Sequence, residues 1–406
     1  MYWKKWFFRV ATLCLAVVLS EALLWAMAAV SPRAHFYLSA PWKQEVTLSD
    51  PELGRRMTPL YPGNDAWGFR NIRVPDSSDV LAIGDSMTYG FAAPADKCWP
   101  RQLESLSGRS VYSMALGGYG PVEYHVLLNR GLALHPKTVI FALYTGNDFG
   151  EAYKTVHTTG RGQEFNNHDQ AVEKDLAEAN RRAPFADAFS RLAETPSVSQ
   201  VMGVRKFVSE YSGVYGLMRG LWISASNRRA TSLGEDADQR SFDFEESSRQ
   251  PGRFVFDADS RFRTVFLDAE AYAMGMDLDD ARIREGGRIT EAVLRSAQSK
   301  LRARDIRFLV VLIPTKETIY AGLMKNQHNV PEAYLELLRK EQRVIDHIEA
   351  FLRNEGIEFV NTTPSLRASF EQGVRLFPPS DNTHPNANGY RAIAEAIAPV
   401  LTRTHP

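Results

Sequence analysis

The chain opens on Lys4, Lys5 and Arg9, followed by a mostly apolar run from Val10 to Val30. At about 20 residues and 1.5 Å of helical rise each, that run can cross the hydrocarbon core of a bilayer. Glu21 stands inside it, where insertion scales charge a carboxylate a few kcal/mol. Cationic residues on the N-terminal side predict that this end stays in the cytoplasm and that everything after Val30 is exported. A cleaved signal peptide is the rival reading, supported by Ala26-Met27-Ala28-Ala29, although the apolar run is longer than the usual signal segment. From Ser31 to about Asp79 the periodicity lapses and Pro and Gly accumulate, as in a spacer.

Short apolar runs then alternate with amphipathic stretches, the pattern of βαβ units around a parallel sheet. Strands are expected at Val80–Ile83, Ser110–Leu116, Thr138–Tyr144, Ile306–Ile313 and Ile357–Asn361. Between them, helical spacing marks Cys98–Leu106, Val122–Leu134, Ile289–Ala303 and Val344–Leu352, and a last helix runs from about Ala387 to Leu401. Gly150 to about Glu285 breaks the rhythm and reads as an insertion. Within it, the apolar runs of Arg253–Asp268 flanking Asp257-Ala258-Asp259-Ser260 suggest a hairpin. The division is therefore an anchor at 1–31, a stalk at 32–78 and a domain at 79–406 interrupted at about 150–285. No internal repeat is evident.

Composition narrows the choice of function. Of 406 residues, 44% are hydrophobic, enough for a substantial core, and 48 basic residues balance 48 acidic ones. No net positive field is available to hold nucleic acid. Cys14 and Cys98 have no metal-ligand spacing, and Cys14 lies in the apolar run, so neither a disulfide nor a metal or other cofactor is expected.

Candidate chemistry lies where the strands end. After the first comes Gly84-Asp85-Ser86-Met87-Thr88-Tyr89-Gly90, which puts a serine at the rim where parallel sheets form ligand crevices. The Gly-x-Ser-x-Gly elbow is absent, so the α/β-hydrolase fold is not indicated. A serine nucleophile needs a base that is itself oriented. Asp381-Asn382-Thr383-His384, on a loop before Pro385 and the last helix, supplies a carboxylate able to turn back onto an imidazole. Oxyanion donors are available after the second strand, in Leu116-Gly117-Gly118-Tyr119-Gly120, and after the third, in Thr145-Gly146-Asn147-Asp148. Each segment alone is also an ordinary turn or helix cap; their common placement at strand ends sets them apart.

In this order the four segments resemble those of the SGNH hydrolases, the GDSL-type esterase superfamily. The resemblance covers about Asp79–Asp148 and Ile289 to the C-terminus. It implies a three-layer α/β/α sandwich with a flavodoxin-like parallel sheet of about five strands. It also implies Ser86 as nucleophile, Asp381 and His384 as its partners, and Gly118, Asn147 and the Ser86 N–H as oxyanion donors. Ser113 departs from the pattern, since many relatives carry asparagine there, which loosens the choice of Gly118 over Gly117. Trp67-Gly68-Phe69-Arg70-Asn71 and Ile313-Pro314-Thr315-Lys316-Glu317 look like those of exported bacterial members. Some of these, such as the alginate O-acetyltransferases, modify cell-surface polysaccharides. The resemblance thus implies a bacterial inner-membrane protein with a periplasmic catalytic domain, acting on O-acyl groups of an envelope carbohydrate or on another ester. An O-acetyltransferase modifying an exported polysaccharide would use the same residues, and an inactive polysaccharide-binding module is the remaining alternative. Lys316 reads as a solvated loop charge, and His125 and Trp99 as structural. The insertion has the length of a lid or a substrate-binding wall.

Overall fold

The computed structural model describes residues 2–31, 47–59, 64–183, 185, 212–215, 218, 244–249, 252–257, 260–325 and 330–402. Much of the expected stalk and of the insertion's centre lies outside these residues. The chain forms two compact units.

The first unit contains the helix Tyr2–Val30. Its segment Trp3–Met27 has a mean hydropathy of 2.1 and none of it is buried within the protein. Length and composition therefore suit a membrane span or a signal sequence. The Glu21 carboxylate is not left bare: it accepts hydrogen bonds from Ser212 Oγ (2.5 Å), Gly213 N (2.6 Å) and Val214 N (3.3 Å). Those bonds offset part of the desolvation cost of a carboxylate in an apolar helix. Two short strands, β1 (Thr47–Asp50) and β2 (Gly54–Met57), pair within the segment expected to be spacer. Nearby, the Asp65 carboxylate gathers Trp67 N, Phe69 N and Asn71 Nδ2 into one tight turn.

The second unit is built on five parallel strands: β3 (Val80–Gly84), β4 (Val111–Ala115), β5 (Thr138–Tyr144), β8 (Arg307–Ile313) and β9 (Glu358–Asn361). Strands β6 (Phe254–Phe256) and β7 (Thr264–Phe266) form an antiparallel hairpin, where the insertion was expected to hold one. The spatial order β4-β3-β5-β8-β9 is the flavodoxin-like 2-1-3-4-5 arrangement. Every residue of β3, β4 and β5 is buried, which is why these strands read as continuous apolar runs instead of alternating ones. Trp99–Ser107 packs on Ala387–Thr402, and Pro121–Gly131 on Ala281–Arg302, so that helices cover the sheet. Ala281–Arg302 begins about two turns before the expected start, capped by Asp280. It also packs on Asp148–Tyr153 so closely that a Cβ on Gly286 would lie 1.8 Å from the Phe149 carbonyl oxygen.

Register aligns the strand ends. Gly84 lies beside Ala115 and Ala142, Tyr144 beside Ile313, and Leu312 beside Asn361. The segments that follow each strand therefore emerge along one edge of the sheet.

Candidate active site

Ser86 begins a single helical turn after β3, with Asp85 as its cap: Asp85 Oδ1 accepts from Met87 N at 2.8 Å. The Ser86 hydroxyl donates to Asp85 Oδ2 at 3.3 Å. Asp85 is completely buried, and burial pushes its carboxyl up to about 7. Asp148, also buried, accepts from Tyr124 OH (3.2 Å) and Tyr144 N (3.1 Å), and burial together with the neighbouring Asp85 charge raises it well above the carboxylate range. A pair of carboxyls with raised affinity for protons thus underlies the serine turn.

Gly117 reports what stands next to Ser86. A Cβ on it would lie 3.5 Å from Ser86 Cβ and 3.0 Å from the Phe91 ring. Gly118 follows, exposed, with φ of +76°, a left-handed conformation that glycine adopts without strain. Asn147 caps the helix Asp148–Tyr153 at the end of β5. Its Oδ1 is buried with no hydrogen-bond partner among the described residues, so the amide is not consumed by the fold. Behind it, buried Glu341 accepts from Thr145 Oγ1 (2.6 Å), Thr315 N (2.7 Å) and Thr318 Oγ1 (2.6 Å). That carboxylate fastens the segment after β5 to the segment after β8.

His384 reaches the same neighbourhood from the other end of the chain, its ring edge-on to Phe91 with 5.3 Å between centroids. Phe91 thus lies against both the serine turn and the imidazole. The partner of the imidazole differs from the one expected. Asn382 Oδ1 accepts from the His384 backbone N–H at 3.0 Å and lies 2.8 Å from Nδ1. An Asx-turn explains this, because it projects the side-chain oxygen over the backbone two residues on, where Nδ1 also lies. With Oδ1 as acceptor, Nδ1 carries the proton and Nε2 keeps its lone pair. The carboxylate of Asp381, three residues before His384, turns away from the ring and forms an ion pair with Arg253, which also donates to Ser247 Oγ (3.3 Å). Burial first, and the Lys316 charge second, depress the imidazole to about 4.

Lys316 is not a solvated loop charge. Its side chain is completely buried. Nζ donates to Val265 O (2.8 Å), Asn382 O (3.1 Å), Thr264 Oγ1 (3.2 Å) and Ser380 O (3.3 Å). Ser380 O also accepts from Thr264 Oγ1 (2.9 Å) and Val265 N (3.2 Å), so the β6–β7 hairpin lies directly on the histidine loop. No position in the sequence pattern signalled this clamp. The nearest hint was Lys316 directly after an apolar strand, where a cation has little access to water.

Trp99 is fully buried and donates to Thr88 Oγ1 at 3.3 Å, and the His125 ring packs edge-on to Phe165. Both are structural. Cys14 and Cys98 are free, and among the described residues no three His, Cys, Asp or Glu side chains cluster as metal ligands would.

Residues 273–406 match the family described as SGNH hydrolase-like domain, acetyltransferase AlgX. Several solved structures are similar. A GDSL-like lipase from Bacteroides thetaiotaomicron covers 79% of this chain and 86% of its own, at 11% identity and a TM-score of 0.31. A catalytic mutant of an acetylxylan esterase from Geobacillus stearothermophilus covers 82% and 99%, at 9% identity and a TM-score of 0.35. Phospholipase A1 from Streptomyces albidoflavus covers 80% and 98%, at 10% identity and a TM-score of 0.35. The curated proteins gave no match.

Proposed function

We propose that this SGNH hydrolase-like chain is a serine enzyme acting on ester bonds, with Ser86 as nucleophile and His384 as general base. The observation that carries the reading is the held imidazole: Asn382 Oδ1 sits 2.8 Å from Nδ1, leaving Nε2 to face the edge where Ser86 lies. In the reaction, Nε2 takes the Ser86 proton as Oγ forms a bond to the ester carbonyl carbon. The resulting oxyanion has the free amide of Asn147 and the backbone N–H groups of Ser86 and Gly118 as candidate donors. Collapse of the tetrahedral intermediate breaks the carbon–oxygen bond to the leaving alcohol, which takes the proton from Nε2. Water or a second hydroxyl then resolves the acyl-Ser86 by the same steps in reverse.

In the resting arrangement the Ser86 hydroxyl leans on Asp85 instead of the imidazole. Catalytic hydrogen bonds commonly tighten only when substrate is bound. Asp381 acts at one remove in this reading, anchoring the loop through Arg253.

The acyl group is proposed to be small, with a cell-envelope carbohydrate as its carrier. Two features support this: the charge order of the N-terminal helix, which directs the enzyme outward from the membrane, and the match of residues 273–406 to an acetyltransferase domain. The same match favours transfer to a sugar hydroxyl as a second reading beside hydrolysis. A fluorophosphonate probe tests the shared core: the full-length protein should be labelled and Ser86→Ala should not. An unlabelled, folded wild type would count for a binding module. Supplying an acetyl donor with and without an oligosaccharide acceptor then separates transfer from hydrolysis.

A further inference from the structure

We propose that Lys316 is a positioning residue for the His384 base, its ammonium tying the backbone of the histidine loop to the β6–β7 hairpin. The inference rests on the reading of Ser86 and His384 as the reacting pair.

Four neutral oxygens surround Nζ, two from the hairpin (Thr264 Oγ1 and Val265 O) and two from the loop (Ser380 O and Asn382 O). The charge is thus solvated by protein dipoles in the manner of a bound cation, with the Phe266 ring 5.3 Å away adding its π face. Such burial is costly for a lysine, and an apolar side chain of similar length would fill the space at lower cost. What the ammonium adds is direction, because only a donor pulls the carbonyls of residues 380 and 382 inward. The Asn382 carbonyl belongs to the same residue whose side chain holds the imidazole. A chain of contacts therefore runs from Nζ through Asn382 to Nδ1 of His384. The inserted segment, expected as a lid, here braces the catalytic loop from behind.

The charged groups nearest the ammonium are Glu317 on its own helix, Asp381 on the loop and Arg253 on the hairpin, the latter two paired with each other. On the imidazole itself the Lys316 charge is felt as a depressing influence, after burial. Removing Lys316 should therefore do two things: loosen the loop and raise the protonation midpoint of His384.

The experiment uses the full-length protein and the rate of fluorophosphonate labelling at Ser86 across pH, alongside kcat and KM for a small acetyl ester. In Lys316→Met the expected result is a loss of about tenfold or more in labelling rate and kcat, with KM little changed. Its acid limb should also move to higher pH. Thr264→Val, which removes one acceptor and keeps the charge, should lower kcat without moving that limb. A folded Lys316→Met whose labelling rate and acid limb coincide with wild type would overturn the inference. If Lys316→Met does not fold, a folded Thr264→Val with unchanged kcat overturns it equally. Failure of wild type to label would instead overturn the nucleophile reading, and the inference with it.

Discussion

Exchanging the two acidic-type side chains of the histidine loop, one at a time, decides which of them orients the base. Asn382→Ala removes two hydrogen bonds to His384, at 3.0 Å to the backbone and 2.8 Å to Nδ1. At about 1 kcal/mol net for each, the loss is roughly 2 kcal/mol if both are fully expressed in the transition state, or about 30-fold in kcat/KM. Asp381→Asn keeps the shape of the loop and removes only the charge paired with Arg253. That pair is partly open to solvent, with side-chain exposures of 17% and 34%, so salt screens it and its loss should change kcat/KM by no more than about threefold. Were Asp381 the partner of the imidazole, the same change would cost on the order of 10⁴ by favouring the wrong tautomer. Steady-state hydrolysis of a small acetyl ester by full-length wild type and the two variants reads the difference directly. A loss near 10³ or more in Asp381→Asn, with Asn382→Ala close to wild type, would refute the Asx-turn assignment and return the orienting role to the carboxylate.

Further outcomes can be checked independently. Because burial and Lys316 hold the imidazole down to about 4, His384 stays neutral from pH 7 to about 5, and kcat/KM should be flat there and fall only below that range. An acid limb near 6.5 would show that the ring titrates as an unperturbed histidine. The same depression means the folded state binds fewer protons than the unfolded one between about 4 and 6.5, so this group's contribution to stability is lost as pH falls through that window. Gly286→Ala drives a methyl group into the Phe149 carbonyl, a backbone atom that cannot swing aside, and should cost about 1–3 kcal/mol, read as a lower thermal midpoint; an unchanged midpoint would show that the two helices separate freely. If the helix Tyr2–Val30 is an uncleaved anchor, alkaline carbonate should leave the protein with the membranes at full length. Recovery of a shortened, soluble form would establish the signal-peptide reading.

Periodicity along the chain was enough to specify the sheet. Runs such as Thr138–Tyr144 are apolar throughout because both faces of a parallel strand are covered, so local composition and tertiary burial carry the same message. The same holds for the serine turn and the histidine loop, whose positions at strand and helix ends are visible as breaks in the pattern. Helix starts were less legible: Ala281–Arg302 begins in residues whose polar character resembles the preceding insertion, and its packing on Asp148–Tyr153 comes from glycines, not from an apolar stripe.

Which side chain touches which was decided only by the folded chain. Asp381 and Asn382 are neighbours in sequence and both can orient an imidazole, but the Asx-turn gives the ring to the amide while Arg253, 128 residues away, claims the carboxylate. Lys316 was read as exposed because lysines almost always are, and its acceptors lie 51 to 66 residues distant on two separate segments. Local sequence determines what a segment can bury and what it can donate. The partner that makes a buried charge tolerable arrives from elsewhere in the fold, and no local pattern records it.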